Sequence, residues 1–190
     1  MSTLLNNIDE HQDFVERMRE DAALLESFAK AREIMTAALA AGHCIYVAGN
    51  GGSMADGIHF AEELIGNFRA PRKPMAAVAL SDAAAMTCIG NDYGFDYVFS
   101  RQVQGLCGPG DVFLGLSTSG NSANIVNACE AAHGQGAKVI ALTAGDGGKM
   151  AHQSDVALCV PKSEHSDRIQ EMHMLILHSW VQELEQHLNK

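Results

Sequence analysis

Between Cys44 and Pro161 the chain carries five short apolar runs, "CIYVAGN", "MAAVALS", "DVFLGLSTSGN", "KVIALTAGDGG" and "DVALCVP", each ending in small or polar residues. Each is about strand length, and several lead into a helical segment. A strand buried on one face alternates apolar and polar residues, whereas one covered on both faces reads as a continuous apolar run. Runs of the second kind, separated by helices, predict an α/β fold: a three-layer sandwich around a central five-stranded parallel sheet. A helix-rich stretch from about residue 6 to 41 precedes the sheet, as one long or two shorter amphipathic helices carrying Phe14, Met18, Leu24, Leu25, Phe28, Ile34, Met35 and Leu39. A closing helix is expected over about 166–189, free of glycine and proline, with Ser166 or Asp167 near its start. No repeat, low-complexity tract or linker interrupts the 190 residues, so 1–190 reads as a single domain with a helical amino-terminal extension.

A formal net charge of -10 argues against a partner bound through a nucleic-acid backbone, which needs clustered Lys and Arg. It leaves a small phosphorylated ligand open, because backbone N–H groups at a helix start bind phosphate without net positive charge. No segment approaches the roughly 20 apolar residues that span a bilayer, and the first residues lack the basic start and apolar run of a signal peptide. Five cysteines, odd in number and without a C-x-x-C pair, fit a reducing compartment. The expectation is a soluble, cytoplasmic protein with no nucleic-acid or membrane partner.

Two junctions after apolar runs are rich in glycine and hydroxyl groups, "GNGGS" at Gly49 to Ser53 and "STSGNS" at Ser117 to Ser122. Glycine allows close approach of the backbone, and hydroxyls with helix-start N–H groups supply donors, which together make a phosphate cradle. Either loop alone could be an ordinary tight turn. Two of them at the carboxyl ends of parallel strands favour a ligand site, because open α/β sheets bind ligands there. Neither carries the full G-x-G-x-x-G spacing or the G-K-[ST] of a P-loop, so NAD and ATP are poorly supported. The third glycine cluster, "AGDGGKMA" at Ala144 to Ala151, is given no role.

His59 and Glu63, four residues apart, project from one helix face and could act on one substrate or hold one metal ion. A surface i, i+4 pair is the plainer alternative. His178 lies in the apolar context "LILHSW", where a lone histidine is more often a satisfied core residue than a catalyst.

Taken together, "GNGGSMADGIHFAEEL", "IGNDYGF", "GLSTSGNSANIV", "ALTAGDGGKMA" and "DRIQEMH" closely resemble the phosphoheptose isomerases of the sugar-isomerase (SIS) family, in order and spacing and over nearly the whole chain. The resemblance implies a flavodoxin-like SIS fold and a phosphosugar site drawn from Asn50, Gly51, Gly52, Ser53, Glu63, Asn91, Asp92, Ser117, Thr118, Ser119, Ser122 and Gln170. It implies Glu63 and His178 as the acid/base pair, and one zinc ion per subunit on His59, Glu63, Gln170 and His178. It also implies a homotetramer with shared sites, and a place in the supply of heptose for lipopolysaccharide or another surface glycan. Gln170 and His178 are eight residues apart, about 12 Å along an ideal helix, so both side chains would have to reach along it, or the first turn be irregular, to meet at one ion.

The implied substrate is sedoheptulose 7-phosphate and the implied product D-glycero-D-manno-heptose 7-phosphate. Such an isomerisation moves a proton between C1 and C2 through an enediol, and needs one group for the carbon proton and another for the oxygens. Glu63 is expected as the carbon base and His178 as the group serving ring opening and oxygen protonation, although the roles could be exchanged; Asp92 would orient a hydroxyl. The competing reading is a noncatalytic SIS protein that binds a phosphosugar or associates with a replication initiator. His59, Glu63 and His178 occurring together argue for the enzyme, since a pure binder has no need of them.

Overall fold

The computed structural model describes residues 2–188, so the expected end of the closing helix at residue 189 lies outside the described residues. All five apolar runs form strands: β1 (Ile45–Ala48), β2 (Ala77–Ala79), β3 (Val112–Leu116), β4 (Lys138–Ala144) and β5 (Val156–Val160). Every pairing is parallel and the strand order is β2-β1-β3-β4-β5. In this order the chain direction across the sheet reverses between β1 and β3, and a crevice opens above their carboxyl ends, the usual ligand position in open α/β sheets.

The helices are α1 (Thr3–Glu20), α2 (Ala22–Ala40), α3 (Gly52–Ile65), α4 (Ala83–Asp92), α5 (Ser100–Leu106), α6 (Ala123–Gly134), α7 (Gly148–His152) and α8 (Ser166–Leu188), with a 3₁₀ turn at Phe95–Tyr97. The helical amino terminus is thus two helices. They part at Asp21, whose carboxylate caps α2 by accepting from the Leu24 N–H at 3.0 Å.

The strands divide their side chains between two cores. Ile45, Val47, Leu114, Ile140 and Leu142 face the layer of α2, α3 and α8, while Phe113, Val139 and Ala141 face the layer of α5, α6 and α7. Burial on both faces explains why these strands show no polar alternation. Trp180 fixes α8 to α2: its ring stacks on Phe28 and its indole N–H donates to the Phe28 carbonyl at 3.2 Å.

The packing of α3 against α8 matters most for function. Gly52 lies against the Gln170 side chain at one end of the pair, and Glu63 meets His178 at the other. The two helices therefore run side by side in the same sense.

Candidate functional site

The first glycine loop follows β1 and the serine loop follows β3, so neighbouring strands deliver both to one edge of the sheet. Gly51 has φ +54, a conformation that favours glycine, and no side chain caps the start of α3. Gly49 admits no side chain, since a Cβ there would lie 2.6 Å from the Ser53 backbone. The loops are tied together by a reciprocal amide pair: Asn50 donates to Asn124 at 2.9 Å and Asn124 donates back at 2.8 Å. Asn124 is buried on the first turn of α6. Its sequence context offered an amide with no visible partner, and only the fold supplies one.

In the serine loop, Ser117 is buried and its Oγ lies 3.0 Å from Ser122 Oγ and 3.5 Å from Ser119 Oγ. Ser122 occupies the N-cap of α6 but does not cap it with its side chain; its carbonyl accepts from the Ile125 and Val126 N–H groups at 3.0 Å, which leaves those of Ala123 and Asn124 for another acceptor. The glycine cluster at Ala144 to Ala151, to which the sequence assigned nothing, supports this loop. Met150 N–H donates to the Gly120 carbonyl at 3.0 Å, and Lys149 N–H to Asn121 Oδ1 at 3.2 Å. Gly120 has φ +64, and a Cβ on it would fall 2.0 Å from the Gly147 carbonyl oxygen. An open cleft of about 600 Å³ borders the loop, lined in part by Thr118, Ser119, Asn121, Lys162 and Ser166.

The second group lies further along α3. Glu63 Oε1 is 3.3 Å from His59 Nε2 and 3.4 Å from His178 Nε2, and the two imidazoles meet edge to face at 5.1 Å. Phe68, not singled out by the sequence, stacks on His178 at 5.8 Å. The Glu63 side chain is 8 % exposed, and its Oε2 is buried without a hydrogen-bond partner. Burial holds the Glu63 carboxyl above its ordinary pKa, against the opposing pull of His178 and His59. A carboxylate moved in that direction is a better proton acceptor near neutral pH.

The same three residues fit a divalent ion. Their ligand atoms lie within 4.8 Å of one another, and the two His–Glu separations are close to the roughly 3.3 Å expected between tetrahedral zinc ligands. The orphaned Oε2 is the kind of buried acceptor that an ion satisfies.

Gln170 is placed elsewhere within one chain, against Gly52 at the loop end of the helix pair. Asn91 and Asp92 lie exposed on the last turn of α4, where Asn91 donates to Asp92 at 2.7 Å and Cys88 Sγ approaches Asp92 at 3.6 Å. The fold therefore brings the two loops and Gln170 together, and separately His59, Glu63 and His178. Gly52 and Glu63 are eleven residues apart on α3, about 16 Å along its axis.

Comparison with known proteins gives the lineage. A family model described as the SIS domain matches residues 8–144. The chain is 44 % identical to the phosphoheptose isomerase of Proteus mirabilis, over 96 % of this chain and 95 % of that protein. It is 42 % identical to the phosphoheptose isomerase of Klebsiella pneumoniae, over 97 % and 96 %. Among solved structures, the phosphoheptose isomerase of Neisseria gonorrhoeae superposes with a TM-score of 0.89 at 43 % identity, covering 96 % of this chain and 97 % of that one. That of Francisella tularensis gives 0.88 at 36 % identity, covering 98 % and 100 %. The chain belongs to the SIS domain family and, within it, to the phosphoheptose isomerases.

Proposed function

We propose that this protein interconverts sedoheptulose 7-phosphate and D-glycero-D-manno-heptose 7-phosphate through an enediol. The observation that carries the reading is the Glu63 carboxylate, buried and raised in pKa, within 3.4 Å of two imidazoles. In the forward direction His178 transfers protons at the ring and carbonyl oxygens as the sugar opens. Glu63 takes the proton from C1 as the C2 oxygen gains one to give the enediol, and returns it at C2 as the C1 oxygen gives its proton up to leave the aldehyde. The hydroxyls of Ser117, Ser119 and Ser122, Thr118 and the N–H groups of Ala123 and Asn124 at the start of α6 hold the phosphate. Asn50, Gly51, Gly52, Ser53, Asn91, Asp92 and Gln170 complete the sugar contacts, with Asp92 orienting a hydroxyl.

His59, Glu63 and His178 would hold zinc, joined by Gln170 in the full set. Bound there, the ion would polarise the substrate carbonyl or hydroxyl.

The reading includes a homotetramer with shared sites. A seven-carbon sugar spans about 10 Å with carbon–carbon bonds of about 1.5 Å, less than the axial offset of about 16 Å between Gly52 and Glu63 on α3 in one chain. Pairing the loops of one subunit with the cluster of another removes that mismatch, and would let Gln170 join a metal set across the interface. Exposed apolar residues on α1, Leu4, Leu5 and Ile8, offer surface for such association. No helix among the described residues is long and apolar enough to cross a membrane, which fits a cytoplasmic enzyme. A role in supplying heptose to lipopolysaccharide or another surface glycan follows from the product. The noncatalytic reading, phosphosugar binding or association with a replication initiator, gives no account of the buried carboxylate between two imidazoles.

The test is a proton NMR time course of the protein with sedoheptulose 7-phosphate in heavy water, with and without zinc, beside His178→Ala. Growth of an aldose signal carrying deuterium at the exchanged carbon, lost in the variant, is expected. Binding without conversion under either metal condition would move the assignment to the noncatalytic reading.

A further inference from the structure

The carboxyl end of α3 is closed by a buried ion pair that the chemistry above does not use. The side chains of Arg72 and Glu185 are 2 % and 6 % exposed, and Arg72 Nε donates to Glu185 Oε1 at 3.0 Å. One terminal nitrogen of the guanidinium donates to the Leu64 carbonyl at 2.7 Å and the Lys73 carbonyl at 3.2 Å, and the other donates to the Glu63 carbonyl. The second oxygen of Glu185 accepts the Arg69 N–H at 3.2 Å. The last carbonyls of a helix have no partner inside it, and a planar guanidinium can serve several of them at fixed angles, which an ammonium cannot.

The placement of this array connects it to the reaction proposed above. Arg72 grips the backbone of the residue that carries the carboxylate. Glu185 lies seven residues, or two turns, beyond His178 on the same face of α8. Guanidinium and carboxylate therefore lock the end of α3 to α8 two turns beyond the contact of Glu63 with His178, the contact that sets where the two proton-transferring groups stand relative to one substrate. A buried ion pair is often no more stabilising than apolar packing, so stability alone is a weak reason for this one. Its charge is also a poor explanation, because the shift of Glu63 traces to burial, His178, His59 and Glu62.

We propose that Arg72 and Glu185 form a positioning clamp that sets the axial register of α3 against α8, and with it the separation of Glu63 from His178. Neither residue touches the reacting atoms; both act through the backbone and helix that carry them. The inference rests on the isomerase reading for its kinetic consequence only, since the geometry of the clamp can be read without turnover.

The experiment compares wild type, Arg72→Lys and Glu185→Gln in the full-length protein. It reads secondary structure by circular dichroism, kcat and KM with sedoheptulose 7-phosphate, and the imidazole NMR signals of His59, His178 and the remote His133 at one pH. The expected result for Arg72→Lys, which keeps charge and loses the planar fork, is a native spectrum, kcat at least tenfold lower and KM within twofold. His59 and His178 signals move and His133 does not. Glu185→Gln shows the same pattern and decides the matter if Arg72→Lys does not fold. Wild-type kcat in Arg72→Lys, or unmoved His59 and His178 signals in a folded variant, overturns the clamp; failure of both variants to fold makes the pair a folding element and overturns it equally. If wild type turns over no substrate, the isomerase reading falls while the imidazole signals still decide the clamp.

Discussion

The two ends of the α3–α8 pair are built by different means. At the loop end, donors come from backbone N–H groups, short hydroxyls and amides on turns that follow β1 and β3, so the donors of each turn lie within a few residues of one another, while Asn124 and Gln170 join the turns from further along the chain. At the other end, Glu63 and His178 are more than a hundred residues apart and meet only because two helices pack in register. Binding an anion tolerates small displacements, because charge attraction acts over distance and several donors share the load. Proton transfer does not, since donor and acceptor must approach to about 3 Å. The loop end accordingly reads as a binding device and the far end as a chemical one.

The sharpest way to break that division is Glu63→Gln. It should lower kcat by roughly 10³-fold with KM changed only a few-fold, in line with the loss of a general base. Steady-state kinetics on the folded variant decide this; a raised KM with unchanged kcat would make the cluster a binding element.

The next effect concerns α8, which both ends share. His173 is fully buried, three residues after Gln170, with Nε2 3.1 Å from the Thr143 carbonyl and Nδ1 without a partner. Burial lowers its pKa to about 4. Between that value and the ordinary 6.5 the unfolded chain takes up a proton that the folded protein refuses. Stability is therefore lost as pH falls from about 6.5 to 4, by roughly 3 kcal/mol for a shift of this size. Urea denaturation at several pH values should show this slope, and His173→Asn should flatten it. An unchanged slope in the variant would assign the acid sensitivity to other groups.

The smallest effect should come from Ser122→Ala at the loop end. Losing one hydroxyl donor to a charged phosphate should raise KM roughly tenfold and leave kcat within twofold, given hydrogen bonds to charged groups worth about 1.5 to 3 kcal/mol. A fall in kcat with unchanged KM would instead join the loop to the chemistry and dissolve the contrast.

The sequence by itself determined the sheet, its parallel sense, the two flanking helical layers and the places where glycine and serine form loops. These depend on local periodicity and on backbone conformations that neighbouring residues dictate. The candidate acid/base residues could be named from it, but only through family resemblance, because four-residue spacing on α3 cannot reveal what lies across from Glu63. Tertiary structure alone decided that His178 faces Glu63, that Gln170 sits beside Gly52, and that Asn124 braces Asn50. It alone set Arg72 and Glu185 together across the end of α3. Such contacts join residues that share no local pattern, and their partners are fixed by helix register and burial, which only the packed chain possesses.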